Sequence, residues 1–394
     1  MISEKQLHQV KEFLKEQDFD GWLIYDFKRS NDIAHSALKI PLTEHITRPF
    51  YYWIPKQGDP KLLLNTIEKA VLSDLPGERI LYMSYEQRLQ KVKNMLSGSK
   101  RILMEISENN RIPYLSKVCF GVVDQIRSYN IEVASSGNML QLLLNRWDEV
   151  DYASHTRAAE ILKFTYEDAF DLIRKKLDKN ESVYEGDVQK FIAGQLTKHG
   201  LVYDGLPSVA VNANAANPHY HIGTKGEKIT CDQLVLIDLW GRENKERGKY
   251  ADITVMAFTG DKAPEKMVQV LQIVRAAQKK GFELIEQRYA KKEGVTGAEV
   301  DHICRREITD HGFGDFFIHR TGHNIDVELH GAGAHLDSLE TIDDRLLVPS
   351  TCFSIEPGIY LPGEFGVRLE SDVFIHENGK VEMTTDTQED FYYI

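Results

Sequence analysis

The sequence contains few cysteines and none in a close pair. Its four cysteines are far apart in the chain and form no Cys-x-x-Cys motif: Cys119, Cys231, Cys304 and Cys352. This spacing argues against a disulfide scaffold or a thiolate zinc site, and it is typical of reduced thiols in a cytosolic protein. Because free cysteine is commonly buried, we expect all four to be packing residues.

The sequence also lacks an excess of positive charge and long apolar runs. Its net charge is −12, which argues against nucleic acid and anionic membranes as partners because both require a basic face. No apolar run approaches the roughly 20 residues of a membrane span. Residues 1–6 carry charges where a signal peptide would have an apolar core. We therefore expect a cytoplasmic protein with no nucleic-acid or membrane partner.

The first part of the chain has the pattern of an α/β domain. A chain of 394 residues, 42% of them hydrophobic, is long enough for two to three domains. Residues 3–17 have the apolar spacing of an amphipathic helix. Strand-like runs follow at residues 21–27, 50–54, 61–64 and 101–105, with helical stretches between them. This alternation predicts an α/β domain over residues 1–146, which contains no cluster of metal-ligating residues.

The second part begins with a long helical pattern and repeats itself. Residues 147–178 are charged and helix-periodic, with apolar anchors that include Val150 and Phe170, so a second domain is predicted over residues 147–394. The sequence around Phe170 recurs around Phe282, 112 positions later, and residues 197–201 recur at 309–313 with the same offset. This offset predicts a duplicated helix–turn–helix unit in a pseudo-two-fold domain. His199 and His311 would then be structural residues at helix ends.

Four carboxylates interrupt or follow apolar, strand-like runs. They are Asp238 in residues 234–240, Asp252 in residues 250–258, Glu356 after residues 351–355, and Glu370 in residues 367–373. A carboxylate in apolar surroundings is costly unless it is paired or binds a metal. Each one alone would be interpreted as a cap or a salt bridge, but four unpaired carboxylates in one core would repel one another. A shared cation is the simplest explanation of all four.

His323 supplies a nitrogen donor to the same predicted site. Four carboxylates and one imidazole form a hard, oxygen-rich ligand set, which favours manganese, cobalt or iron, with zinc possible. The set is too large for one small ion and suits two. In residues 367–373 the period of two places Arg368 on the same face as Glu370, so Arg368 is either a structural partner or a residue that orients a ligand carboxylate.

Short sequence motifs in this region resemble those of a known family. They are Asp-Ile-Thr at 252–254, Gly-His at 322–323, Ile-Glu-Pro-Gly-Ile-Tyr at 355–360 and Gly-Val-Arg-Leu-Glu at 366–370. Their order resembles the pita-bread metallopeptidases, and His319 and His330 make the aminopeptidase P and prolidase branch the closest. The resemblance implies a creatinase-like α/β domain followed by an α+β pita-bread catalytic domain with internal pseudo-two-fold symmetry.

The resemblance also implies a role for each site residue. Two divalent ions, Mn²⁺ in the first place, would be held by Asp238, Asp252, His323, Glu356 and Glu370. A hydroxide bridging the two ions would attack the peptide carbonyl, with Glu356 as the proton acceptor. His219, His319 and His330 would bind substrate, and His219 and His330 would also assist the reaction. Arg368, Tyr250 and Thr254 would orient the ligands.

Three functions follow from the resemblance. The leading one is an Xaa-Pro aminopeptidase that acts on peptides with proline in the second position, in a homodimer. The second is a prolidase restricted to Xaa-Pro dipeptides, which requires a cation for the product-side carboxylate that the sequence alone does not identify. The third is a catalytically silent pita-bread binding protein or a metal-free, creatinase-like hydrolase, although such proteins lack the full ligand set that this sequence retains.

The sequence departs from the family pattern at four places around the cleft. Asn324 and Asp326 replace glycines of the common Gly-His-Gly-Ile-Gly, and Val255 replaces an arginine. Residues 331–333 read Gly-Ala-Gly where Glu-x-Pro is usual. We expect Asn324 to preserve a turn because asparagine tolerates positive φ, and Asp326 to add a charge close to the site.

Overall fold

The computed structural model describes residues 1–394, and it divides into two compact units, Met1–Leu144 and Asn145–Ile394. The boundary inferred from the sequence, between residues 146 and 147, falls close to this division. The existence of two independently folding domains stays a prediction.

The first unit is built on a mixed six-stranded sheet in the order β4-β3-β2-β1-β5-β6. Its strands are β1 Gly21–Asp26, β2 Phe50–Pro55, β3 Lys61–Asn65, β4 Glu78–Tyr82, β5 Arg101–Met104 and β6 Glu132–Ser135. Its helices are α1 Glu4–Glu16, α2 Asp32–Ala37, α3 Tyr85–Met95, α4 Phe120–Arg127 and α5 Gly137–Leu144. Helices α1, α2 and α5 pack on one face of the sheet, and α3 and α4 pack on the other.

The predicted α/β architecture of this unit is therefore confirmed, together with its first helix and four of its strands. Two strands, β4 and β6, were not predicted. The outer strand β4 is mostly exposed and begins with Glu78 and Arg79, so it lacks the apolar run from which the other strands were recognised.

The second unit contains four long helices around several antiparallel strand pairs. Its helices are α6 Glu149–Asp178, α7 Glu185–Lys198, α8 Glu265–Ala290 and α9 Gly297–Asp310. Its strands are β7 Val183–Tyr184, β8 Leu201–Val202, β9 Ser208–Val211, β10 Lys228–Ile229, β11 Leu234–Glu243, β12 Tyr250–Phe258, β13 Asn324–Ile325, β14 Thr351–Ile355, β15 Gly358–Leu361, β16 Phe365–Arg368, β17 Ser371–Ile375, β18 Val381–Met383 and β19 Tyr392–Tyr393.

The two helix pairs of this unit reproduce the sequence repeat. Helix α6 ends at Asp178 and α7 spans Glu185–Lys198, whereas α8 ends at Ala290 and α9 spans Gly297–Asp310. Each of these boundaries is displaced by the same 112 residues as the sequence motif. His199 and His311 cap the C-termini of α7 and α9, and the glycine after each has positive φ, as a helix stop requires.

Helices α6 and α7 cover one side of the β11–β12 hairpin, and α8 and α9 pack with β14 to β17 in a second core. Strand β11 lies between β12 and β9, and β14 lies between β13 and β17. Strands β12 and β17 meet where the Asp252 N–H donates to Asp372 Oδ2 at 2.8 Å. This meeting point holds the carboxylates that the sequence singled out.

Three expectations about packing were wrong. The single strand predicted over residues 367–373 is divided between β16 and β17, which belong to different sheets. Val150 is 65% exposed rather than an apolar anchor, because the buried stripe of α6 runs through Asp151, His155 and Leu162 instead. Cys119 and Cys231 are exposed, while Cys304 and Cys352 are buried, and all four are free thiols.

No helix of the structure is both long enough and apolar enough to cross a membrane.

The buried side chain of His155 on α6 forms hydrogen bonds to the first residue of β12 and to the residue after β18. Its Nδ1 donates to the Tyr250 carbonyl at 2.7 Å, so the neutral ring accepts the Thr384 hydroxyl at Nε2, at 2.6 Å. Burial lowers the pKa of His155 from 6.5 to about 4. The neutral ring therefore stabilises the fold above pH 6.5, and this contribution is lost as the pH falls from 6.5 toward 4.

We expect acidification from pH 7 to pH 4.5 to weaken the contribution of His155 to stability by about 2–3 kcal/mol, because the folded pKa of about 4 lies below the ordinary 6.5. The measurement is chemical denaturation across this pH range. The stability difference between wild type and the less stable His155→Asn variant should shrink across this range, and the exposed His302→Asn variant should follow wild type. An unchanged slope in His155→Asn contradicts the assignment.

Candidate metal centre

The five side chains predicted to bind metal all line one cavity of the second unit, with a volume of about 1210 Å³. Asp238 and Asp252 come from the β11–β12 hairpin, in which Asp238 lies opposite Thr254. Because residues two apart on a strand share a face, Asp252 lies diagonally across from Asp238 on the same side. His323 directly precedes β13, Glu356 follows β14, and Glu370 lies between β16 and β17.

Three of the five form a tight group. One ligand atom from each of Asp252, His323 and Glu370 lies within 4.8 Å of the other two. The His323 Nδ1 donates to the Asn324 carbonyl at 3.3 Å, so its Nε2 lone pair faces the carboxylates. That Nε2 lies 3.6 Å from Asp252 Oδ2 and 3.5 Å from Glu356 Oε1. The group therefore has the donor types and the spacing of a cation site.

Arg368 connects the other two carboxylates. Its guanidinium forms an ion pair with Asp238, and its Nε lies 3.9 Å from Glu356 Oε2. The same Nε donates to the Thr254 hydroxyl at 3.0 Å. Arg368 is only 5% exposed, so a full positive charge is buried among the carboxylates. The direct partner of Arg368 is thus Asp238, and not Glu370 as the continuous strand implied.

Two buried carboxylate oxygens of the group have no hydrogen-bond partner in the protein, namely Asp252 Oδ1 and Glu370 Oε1. An unpaired, buried carboxylate oxygen is strongly disfavoured. An oxygen-rich set with one imidazole is a donor set that Mn²⁺, Co²⁺, Fe²⁺ or Zn²⁺ accepts. The residues present therefore fit divalent metal ions.

The raised pKa values of the four carboxylates also indicate a site for divalent metal ions. Burial raises the pKa of Asp238 to about 6, although Arg368 lowers it, and burial raises the pKa of Asp252 to about 7. Burial also raises the pKa of Glu356, and burial with the neighbouring Asp252 raises that of Glu370. The protein alone supplies too little positive charge to keep four carboxylates ionised.

Two of the three residues predicted to orient the ligands contact them. The Thr254 hydroxyl donates to Glu370 Oε2 at 2.7 Å while it accepts from Arg368. Tyr250 lines the cavity, but its ring lies by Arg242 and its carbonyl accepts from His155. Tyr250 therefore shapes the cavity wall without a direct bond to the five side chains.

His319 is held in one tautomer by a chain of hydrogen bonds. Its Nδ1 donates to the Arg320 carbonyl at 2.7 Å, and its Nε2 accepts the Tyr360 hydroxyl at 2.7 Å. Arg368 Nη1 donates to the same hydroxyl oxygen at 3.1 Å. Burial and Arg368 lower the pKa of His319 to about 3. His319 lines the cavity as a neutral ring, with both nitrogens already occupied.

The other two predicted histidines face the cavity more freely. The His330 ring lies edge-on to His323, with the ring centroids 4.3 Å apart. His219 is exposed in the turn that follows a short 3₁₀ helix at Asn212–Ala216. Both line the cavity, and so does the exposed His221, to which no role was assigned.

Two expectations about the sequence departures were wrong. Asn324 does not adopt positive φ; it pairs as a strand residue with Phe353. Asp326 is 5% exposed and forms an ion pair with Lys249, so its charge is neutralised inside the protein and does not line the cavity. Val255 is buried within β12.

Sequence reasoning missed several contributors to the site. Tyr360 belongs to the motif at 355–360 but was given no role. Its position four residues after Glu356 could have identified it as a residue close to the site. The Ser354 hydroxyl lies 3.2 Å from Glu356 Oε1 and accepts the His323 N–H at 3.0 Å. Arg320 lines the cavity, and no hydrogen bond or ion pair occupies its guanidinium.

Removing one carboxylate should stabilise the metal-free protein and weaken metal binding. At pH 8 with chelator, we expect Asp252→Asn to raise the melting temperature of the unit Asn145–Ile394 by about 2–4 °C, because one buried negative charge is lost. For a unit of this size the shift corresponds to roughly 1 kcal/mol. Its Mn²⁺ affinity should fall by more than about 10-fold.

The matched control is Glu167→Gln on the exposed face of α6, for which neither quantity should change. A lower melting temperature for Asp252→Asn in chelator, or unchanged Mn²⁺ affinity, would contradict the interpretation of these carboxylates as a cation-binding site.

Comparison with known proteins agrees with this geometry. Residues 153–377 match the sequence profile of metallopeptidase family M24. The chain is 30% identical over 234 residues to an Xaa-Pro dipeptidase of Lactobacillus delbrueckii subsp. lactis, covering 59% of this chain and 58% of that protein. It is 30% identical over 200 residues to a putative Xaa-Pro aminopeptidase of Mycoplasma pneumoniae, covering 49% and 51%. The chain thus spans about half the length of the curated relatives it matches.

The fold is shared over the whole chain. The crystal structure of dipeptidase PepE from Mycobacterium ulcerans superposes with a TM-score of 0.64 at 21% identity, over 99% of this chain and 97% of that one. The predicted fold, a creatinase-like α/β domain followed by a pita-bread domain, is thereby confirmed. With the family profile matching more than half of its residues, the chain belongs to metallopeptidase family M24.

Proposed function

We propose that the protein is an Xaa-Pro peptidase that uses two divalent metal ions, held by Asp238, Asp252, His323, Glu356 and Glu370. The observation that carries this proposal is the convergence of these side chains on one cavity, where two of their buried oxygens have no protein partner. The names of the similar proteins, Xaa-Pro dipeptidase and Xaa-Pro aminopeptidase, support the Xaa-Pro peptide bond as the bond that is hydrolysed. The retained ligand set speaks against a silent binding protein.

Two divalent ions at this site would act as Lewis acids and would lower the pKa of a water molecule toward neutrality. Mn²⁺ is the ion that we propose first, because the donor set is rich in oxygen. Glu356 would accept the proton of that water. Burial raises the pKa of its carboxyl above the ordinary value, and a higher pKa makes a carboxylate a better proton acceptor.

The histidines would hold the substrate. His330 and His219 line the cavity, from which their ring nitrogens could donate to the substrate carbonyl and to the leaving nitrogen. His319 would act differently, since both of its nitrogens are bound to Tyr360 and to the Arg320 carbonyl. We assign His319 the task of keeping Tyr360, and through it Arg368, in place behind Asp238.

The substrate would be a peptide with proline in the second position, and the length of that peptide is the open question. The cavity, at about 1210 Å³, is larger than a dipeptide requires, which favours an aminopeptidase. The second candidate, a prolidase, needs a cation for the carboxylate of the dipeptide. Arg320 offers one, because this residue lines the cavity and no hydrogen bond or ion pair occupies its guanidinium.

We also propose a cytoplasmic homodimer, on the basis of the family resemblance. Light scattering coupled to size-exclusion chromatography would test the dimer, and a single-chain mass would contradict it.

Chelation tests the leading proposal. We expect the purified protein to hydrolyse Xaa-Pro dipeptides or tripeptides, to lose this activity in excess chelator, and to regain it with Mn²⁺ or Co²⁺. Xaa-Ala peptides serve as the control for the proline preference. Activity that a chelator leaves intact, or fewer than about one bound metal ion per chain after reconstitution with excess ion, would contradict a two-metal peptidase.

Arg320 tests the choice between dipeptide and longer peptide. If Arg320 holds the dipeptide carboxylate, Arg320→Gln should raise KM for Ala-Pro by at least about 10-fold, since a hydrogen bond to a charged group contributes about 1.5–3 kcal/mol. KM for Ala-Pro-Ala should change much less. The exposed Arg306→Gln on α9 is the control. Equal changes in KM for both substrates would contradict the proposal that Arg320 binds the dipeptide carboxylate.

A further inference from the structure

Asn324, the residue after His323, is bound on three sides although it replaces a glycine of the family pattern. Its side chain is only 2% exposed. Its Nδ2 donates to the Cys352 carbonyl on β14 at 2.9 Å, and its Oδ1 accepts the Gly333 N–H at 2.9 Å. Asn145 Nδ2 is a further donor to this Oδ1, at 3.2 Å. The amide thus joins a strand to the loop that follows His330.

Gly331 and Gly333 leave the space that this amide fills. A Cβ at either position would lie closer than 3.0 Å to side-chain atoms of Asn324. Neither glycine has positive φ, so packing against Asn324, and not backbone conformation, requires glycine here. The departures at 324 and at 331–333 therefore complement each other: a larger residue on one side is matched by the absence of side chains on the other.

The backbone carbonyl of Asn324 belongs to the same arrangement. It accepts the Gly331 N–H at 2.8 Å and the His323 Nδ1 at 3.3 Å. The first bond fixes the loop directly after His330, whose ring lies against His323. The second fixes the His323 tautomer that leaves Nε2 free toward the carboxylates. The backbone carbonyl of residue 324 thus orients a metal-binding imidazole and anchors the loop that carries a second histidine of the cavity. The Asn324 side-chain amide holds this backbone in place between β14 and that loop.

We propose that Asn324, Gly331 and Gly333, here called the Asn324 cluster, position His323 for metal binding and His330 for substrate. Asn324 is a positioning residue, since it does not line the cavity itself. The inference rests on the proposed metal centre and goes beyond it, because it assigns metal retention to a residue outside the ligand set. Partners of metal-binding histidines act in this way in other sites, where their loss weakens metal affinity 10- to 100-fold.

The first test is the Mn²⁺ affinity of Asn324→Gly, the residue of the family pattern, measured by titration calorimetry well below the melting temperature of the metal-free protein. We expect affinity to fall by about 10-fold or more, because the peptide whose carbonyl holds His323 Nδ1 loses its side-chain anchor. We also expect kcat to fall more than KM rises because His330 is displaced. A merely structural residue would lower the melting temperature and leave Mn²⁺ affinity unchanged. Affinity within 2-fold of wild type overturns the proposal.

The second test is a double-mutant cycle with Gly333→Ala. Alone, Gly333→Ala should weaken Mn²⁺ binding by about 10-fold, because its methyl group displaces the Asn324 amide. In the Asn324→Gly background the same methyl group meets no amide, so the further loss should be less than 2-fold. Gly194→Ala on α7, where a Cβ has open space, is the matched control and should leave Mn²⁺ affinity unchanged.

Additive effects in this cycle would overturn the proposal while leaving the metal centre intact. If Asn324→Gly does not fold, Gly333→Ala alone decides, because wild-type affinity in that variant contradicts the cluster. Failure of the wild-type protein to bind Mn²⁺ at all would contradict the proposed function itself, so the two failures are distinguishable.

Discussion

The burial of four carboxylates around one cavity is the constraint on which the second unit depends. Asp238 and Asp252 lie within β11 and β12, Glu356 follows β14, and Glu370 lies between β16 and β17. Arg368 is the one buried guanidinium among these carboxylates. Like charges in a low-dielectric interior repel strongly. The fold brings them together nevertheless, which is a cost in the metal-free protein that bound cations would offset.

The surroundings of the cavity hold the ligands in one arrangement. Thr254 bonds both Glu370 and Arg368, and Tyr360 joins Arg368 to His319. Outside the cavity, the backbone carbonyl of Asn324 fixes the tautomer of His323. Each contact has a defined donor and acceptor, so the ligands have little freedom to rotate. Such preorganisation is what a metal centre requires of its protein.

Much of this could be predicted from local sequence. Asp238 and Asp252 could be recognised because each is a carboxylate within an apolar run. The two helix pairs could be recognised from sequence motifs that recur at a fixed offset. The pairing of distant residues could not be predicted in the same way. Lys249 neutralises Asp326 across 77 positions, and the chain changes sheets between Arg368 and Ser371. Neither leaves a local pattern, because both depend on which strands become neighbours.

The most direct test of this account is anomalous diffraction at the manganese edge from crystals of the Mn²⁺-loaded protein. The account predicts two anomalous peaks in each chain, about 3.5–4 Å apart, in contact with Asp238, Asp252, His323, Glu356 and Glu370. The absence of any peak in this cavity, or peaks bound only by other residues, would contradict it.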